Sequence, residues 1–191
     1  MRELINIVIV VMICMTLYSC KENTSFAEMK KIVEKWNGKE IIFPQNVSYM
    51  FMDKDTICVS SNIPSYKILV YTDSTGCVDC KAQLYKWNGL IEEFENEMGD
   101  LVSFLFFFQP KSGEDIQTLF RENNFRYPSY IDVDNELNRL NNFPTDSRLQ
   151  TFLLNEDNKV VLIGNPINNP QIRNLYKQII KGKEKISLVD A

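Results

Sequence analysis

A chain of 191 residues, 45% hydrophobic and 12% aromatic, is long enough to fold around one substantial core. Its formal net charge of −4 comes from scattered charges, which excludes the basic groove that nucleic acid demands. Histidine is absent, so Ser-His-Asp and Cys-His catalysis are excluded and the commonest zinc and haem ligand is missing. Any nucleophile here must be activated by a dipole or by burial rather than by an imidazole base.

The chain begins with the short charged start Met1-Arg2-Glu3, followed by an apolar run from Leu4 to Leu17. That run is shorter than the ~20 residues of an ordinary spanning helix and suits a signal-peptide core. It ends at Leu17-Tyr18-Ser19-Cys20, which resembles a bacterial lipoprotein signal. The resemblance implies cleavage after residue 19 and lipid on Cys20, with the polar residues 21–25 as a tether; the alternatives are a plain signal peptide or an anchor helix. This prefix places the rest of the chain outside the cytoplasm, in the bacterial cell envelope, facing the periplasm or the exterior, where disulfides persist. Cys14 then leaves with the signal, and Cys58, Cys77 and Cys80 remain.

Phe26, Met29, Ile32, Val33 and Trp36 recur at helical spacing, and Asn37-Gly38 stops that helix. Residues 47–52 and 56–60 read as a hairpin around Asp53-Lys54-Asp55. Beyond Pro64, Tyr66 to Tyr71 is a strand of buried type, and residues 72–76 turn it into Cys77-Val78-Asp79-Cys80. A helical pattern over Lys81 to Met98 follows, with Leu84, Trp87, Leu90, Ile91 and Phe94 on one side. The nearly continuous apolar run Leu101 to Phe108 is a central strand covered on both faces. Ser112, with Asp115 three residues on, reads as a helix cap opening a helix over 114–124. A short strand at 129–132 and a short helix at 135–141 come next. Residues 151–154 and 159–163 form a β-hairpin around Asn155 to Asn158, and a last helix runs from Pro170 to Lys181. The tail after Gly182 is expected to fray.

The pair Cys77 and Cys80 carries the chemistry. At a helix N-terminus, unpaired N–H groups and the dipole favour an anion, so the first thiol loses its proton more readily. The second sulfur, one turn on, can close a disulfide. Asp79 opposes the thiolate and Lys81 favours it, so the two partly cancel. The alternatives are a permanent staple, a pair of inert thiols, or zinc. A loop this short closes little chain entropy, and zinc lacks two further ligands. Cys58 reads as a small core residue, with a second resolving thiol as the alternative.

With these elements in this order, the chain resembles the thioredoxin superfamily, above all its extracytoplasmic thiol–disulfide branch of thioredoxin-like and redoxin proteins. The resemblance rests on the strand-to-helix Cys77-Val78-Asp79-Cys80 and on the closing hairpin from Gln150 to Val160, with residues 47–60 as the hairpin that this branch adds in front. It implies an α/β fold, a thioredoxin-like three-layer α/β/α arrangement with a mixed sheet and an N-terminal β-hairpin extension. The expected organisation is signal peptide 1–19, lipidated tether and short helix 20–42, thioredoxin-like domain 43–182 and tail 183–191. It further implies a thiol–disulfide oxidoreductase that needs no cofactor and no metal. Cys77 attacks, Cys80 resolves, and substrate lies against Gly76, Gln150 and Thr151. The partners are cysteine-containing exported proteins or a membrane electron donor, with the membrane reached through lipid on Cys20.

Two positions depart from the family. A cis-proline normally precedes the closing hairpin where Gln150 stands, and a buried acid normally stands six residues before the first cysteine, where this chain has Tyr71. Asp73 is the nearby carboxylate that could supply the missing proton relay. Gln150 leaves open a redox-inactive binding or scaffold module. A thiol peroxidase ranks last, because Ser74 stands three residues before Cys77 in place of threonine and no arginine partner is evident.

Overall fold

The computed structural model describes residues 27–45, 48–50, 64–75 and 83–189. The signal segment 1–19, Cys20 with its tether, the second arm of the first hairpin with Cys58, and Gly76, Cys77 and Cys80 lie outside the described residues. The chain divides into two units, Met1–Trp36 and Asn37–Ala191. The first contains helix α1, residues 27–36, in which Lys30 and Glu34 pair across one turn at 3.8 Å. Both groups are exposed, so the pair adds little. Among the described residues no helix is long and apolar enough to cross a membrane.

Among its described residues the second unit contains six strands: β1 (Ser48–Met50), β2 (Tyr66–Thr72), β3 (Val102–Phe108), β4 (Ser129–Ile131), β5 (Thr151–Asn155) and β6 (Val160–Ile163). Its helices are α2 (Leu84–Met98), α3 (Ile116–Glu122), α4 (Glu136–Asn141) and α5 (Pro170–Val189). The strands form one sheet in the order β1-β4-β3-β2-β5-β6. β2, β3 and β4 are parallel, with Tyr66 opposite Val102 and Phe106 opposite Ser129. β5 and β6 close one side antiparallel, and β1 lies antiparallel to β4 on the other. The mixed α/β sheet expected from the sequence is therefore present. Of the front hairpin, the described part is the edge strand β1.

Alternation along β3 sorts its side chains between two layers. Phe104, Phe106 and Phe108 join the core beneath α2, α3 and α5. Trp87 of α2 stands edge-on to Phe104 and Phe106, with centroids 6.2 and 5.3 Å away. Leu84, Trp87, Leu90, Ile91, Phe94 and Met98 recur at helical spacing, so one face of α2 is buried whole. The opposite sheet face is covered by α4 and by the segment ahead of β1. There Phe43 meets Phe107 at 5.9 Å, and Phe143 lies between Tyr71 and Phe152, 5.0 Å from each.

Three boundaries differ from the sequence reading. Residues 38–42 belong to the sheet domain and not to a tether. Gly38 N donates to Val160 O, Val160 N to Lys39 O and Ile41 N to Asn158 O, at 2.8–2.9 Å. The side chain of Asn141 secures the same segment, accepting from Ile42 N at 2.9 Å and donating to Ile42 O at 2.8 Å. Second, α3 is capped by Asp115 rather than Ser112. Asp115 Oδ1 accepts from Gln117 N and Thr118 N, both at 3.1 Å. Third, α5 passes through Gly182 to Val189. An interior glycine costs a helix about 1 kcal/mol, which the good helix formers after it offset.

α2 and α5 are also joined by charge. Glu93 and Glu97 face Arg173, Lys177 and Lys181 across the two helices. Hydrogen bonds from Lys177 and then Lys181 pull the Glu97 carboxyl from 4.5 down to about 2. A folded value below the ordinary one means that this contribution is complete above pH 4.5 and is lost as pH falls toward 2. The substitution Glu97→Gln should therefore flatten the loss of stability between those two pH values, and less so in high salt, in denaturation curves recorded across that window. Trp87→Ala should cost about 3–5 kcal/mol by denaturant unfolding, since it empties the centre of the helix–sheet core.

Candidate functional site

The parallel strands β2, β3 and β4 end side by side at Thr72, Phe108 and Ile131, the end of an α/β sheet where ligands bind. From Thr72 the chain continues through Asp73, Ser74 and Thr75 toward the dithiol. Asp73 is buried, with 9% of its surface exposed. Its Oδ1 accepts from Thr75 N at 2.9 Å and from Thr75 Oγ1 at 2.6 Å. Its Oδ2 accepts from Gln150 Nε2 at 3.1 Å. A carboxylate that bonds the backbone two residues on holds a tight turn, and Asp73 does so here.

Gln150 stands just ahead of β5 and is 4% exposed. Its Nε2 also donates to Pro144 O at 2.9 Å. Its main chain is used within the fold: O accepts from Tyr71 N at 3.0 Å and N donates to Ser147 O at 3.3 Å. Thr151 is buried opposite Val70, and its O accepts from Gly164 N at 2.9 Å. At these two positions, whose backbone is expected to meet substrate, the side chains are thus turned inward. No cis peptide bond occurs among the described residues, Gln150 included.

A second polar group lies beside the first. The Tyr71 hydroxyl donates to Asn135 Oδ1 at 2.7 Å and lies 3.1 Å from Gln109 Oε1. Gln109 Oε1 accepts from Ser74 N at 3.3 Å, and Gln109 N donates to Thr72 O at 2.9 Å. The Asp132 carboxylate caps α4, accepting from Glu136 N and Leu137 N at 2.8 Å each. Burial, then the charges of Asp73 and Asp132, push the Tyr71 hydroxyl above its ordinary 10.0. Tyr71 therefore stays protonated near neutral pH. At the position where the family carries an acid, this chain has no base, and Asp73 is the carboxylate at the end of β2.

The start of α2 corrects the sequence reading. The helix was expected from Lys81, with both sulfurs in or beside its first turn. It begins at Leu84, and Gln83 before it is left-handed, with φ 45° and ψ 43°. The carbonyl of Gln83 accepts from Lys86 N at 2.9 Å and Trp87 N at 3.4 Å, so the unpaired N–H groups start beyond it. A residue in that conformation ends the right-handed helix on its N-terminal side. The favourable end of the α2 dipole acts within its first turn, which opens at Leu84. Gly76, Cys77 and Cys80 themselves lie outside the described residues.

Sequence reasoning missed Gln109, Asn135, Asp132 and Pro144. The only signal in the sequence was one of position: Gln109 directly follows an apolar strand, and Asp132 follows another.

No protein-family model matches the chain, and no curated protein matches it. Among solved structures it is similar to the reduced 2-Cys peroxiredoxin of Plasmodium vivax, at 14% identity and a TM-score of 0.54, covering 78% of this chain and 84% of that one. It is also similar to StoA of Bacillus subtilis, at 19% identity and a TM-score of 0.44, covering 63% and 89%. A thioredoxin-like protein in its oxidised form gives 13% identity and a TM-score of 0.45, covering 62% and 80%. The fold is thioredoxin-like, as the motifs implied. Tyr71→Phe removes one buried hydrogen bond and should cost about 1 kcal/mol by chemical denaturation.

Proposed function

We propose that this chain is a thiol–disulfide oxidoreductase, anchored by lipid on Cys20 in the bacterial envelope and acting on exported proteins. The observation that carries the reading is the place of the dithiol. In sequence, Gly76 and then Cys77-Val78-Asp79-Cys80 come straight after the turn that Asp73 holds beyond the end of β2, a strand paired on both edges within the sheet.

In the reducing direction, the Cys77 thiolate attacks one sulfur of a substrate disulfide. A Cys77–substrate disulfide forms, and the other substrate sulfur leaves as a thiolate. Cys80, losing its proton, attacks the Cys77 sulfur. The Cys77–Cys80 disulfide forms and the second substrate thiolate is released. Two electrons have passed to the substrate, and a membrane dithiol donor restores the pair. Oxidation of substrate is the same sequence reversed. We assign the visiting chain to Gly76 and to the backbone around Gln150 and Thr151, since those two side chains point inward; the Gln150 carbonyl, already bonded to Tyr71 N, keeps a second lone pair for that contact.

A second reading is a redox-inactive scaffold. It is favoured by one observation: the main-chain groups of Gln150 that would greet a substrate are already bonded to Tyr71 and Ser147. A thiol peroxidase is not favoured, since Ser74 stands in place of the threonine.

The two readings separate in one experiment. In full-length protein in detergent, an oxidoreductase interconverts Cys77 and Cys80 reversibly between dithiol and disulfide during redox titration. Cys80→Ala then accumulates a mixed disulfide through Cys77, and Cys77→Ala abolishes turnover of a model disulfide. A scaffold shows one thiol state throughout and traps nothing.

A further inference from the structure

We infer that Gln150 is a positioning residue for the dithiol, acting through Asp73. The geometry stands on hydrogen bonds alone, whereas the consequence for the thiols rests on the oxidoreductase reading above. The Gln150 amide has two N–H groups, and its nitrogen meets two acceptors, Asp73 Oδ2 at 3.1 Å and Pro144 O at 2.9 Å. It thereby joins three separate stretches of chain: the lead-in to β5, the loop after α4 and the exit from β2. The main chain of Gln150 adds a further tie, from Tyr71 N to its carbonyl.

The two carboxylate oxygens of Asp73 divide their work. Oδ2 takes the Gln150 amide, and Oδ1 takes both the N–H and the hydroxyl of Thr75. Fixing one oxygen fixes the plane of the carboxylate, and so the position of the other. The turn that Oδ1 closes is the last stretch before Gly76-Cys77. The link from the lead-in of β5 to Thr75, two residues before Cys77 in sequence, therefore runs through two buried side chains, each at least nine-tenths covered. A buried hydrogen bond to a charged group is worth more than a neutral one, and losing one partner leaves the other unmet.

Two substitutions test this in the full-length protein in detergent. Gln150→Met keeps the length and burial of the side chain and removes its donors. Gln150→Glu sets a second carboxylate against Asp73. Amide exchange at Thr75 should accelerate about ten-fold in Gln150→Met, and further in Gln150→Glu, as expected for a lost bond to a charged acceptor. Amides within β3 should exchange as before. The alkylation rate of Cys77, located by mass spectrometry, should change by a comparable factor.

Should Gln150→Met fail to fold, Asp73→Asn approaches the same bond from its other partner, with the same two readouts. Thr75 exchange and Cys77 alkylation both within two-fold of wild type in a folded variant overturn the inference and leave the oxidoreductase reading standing. Faster Thr75 exchange in a protein with no reversible Cys77–Cys80 disulfide sinks that reading instead, and leaves Gln150 as a residue that shapes a turn without positioning a redox pair.

Discussion

The structure depends on β2 being paired along both edges. It runs parallel to β3 from Tyr66 to Thr72 and antiparallel to β5 from Tyr66 to Val70. Its side chains are buried on both faces apart from Lys67, so its main chain has little recourse to water and must be satisfied inside the sheet. A strand held in this way cannot slide by one residue, because every side chain would change faces. Where β2 stops is therefore fixed, and the Asp73–Thr75 turn inherits that precision.

Around the turn the protein gathers neutral groups, of which Gln150 and Thr75 bond the Asp73 carboxylate. Gln150, Gln109, Asn135 and Tyr71 are amides and a hydroxyl that stays protonated, and among the described residues no buried side-chain polar atom lacks a partner. Such a network favours a single arrangement, because any shift leaves a buried group unmet. It also concentrates the charge of the β2 exit on Asp73. Where the resemblance would place an acid, the sequence has Tyr71; the carboxylate stands beyond the end of the strand, at Asp73, beside the turn.

Much of the fold was legible in the sequence, for reasons that differ by element. The run Val102–Phe108 could only be a doubly covered strand, and Asn155 to Asn158 could only be the turn of a hairpin between apolar arms. Pro170 opened α5 as expected, with Asn169 Oδ1 accepting from Gln171 N and Ile172 N. What escaped depended on partners distant in sequence. Residues 38–42 look like a linker until Asn141 and the β6 ladder are set against them. Gln83 fits a helical pattern, and nothing local announces its left-handed backbone. Ser112 was read as the cap, whereas the chain uses Asp115, directly ahead of the buried Ile116. Of the candidate site, the dithiol came from spacing alone. Its supporting amides could not, since Gln150 and Asp73 are 77 positions apart.

The stretch from Gly38 to Ile41 lies along the outer flank of β6, bonded to it main chain to main chain and bridged at Glu40 and Lys159. An uncovered flank of that kind offers a ready ladder to any neighbouring polypeptide. Here a few residues of the molecule's own chain fold back over the start of that rim, so that the main-chain groups of Val160 are spent inside the protein.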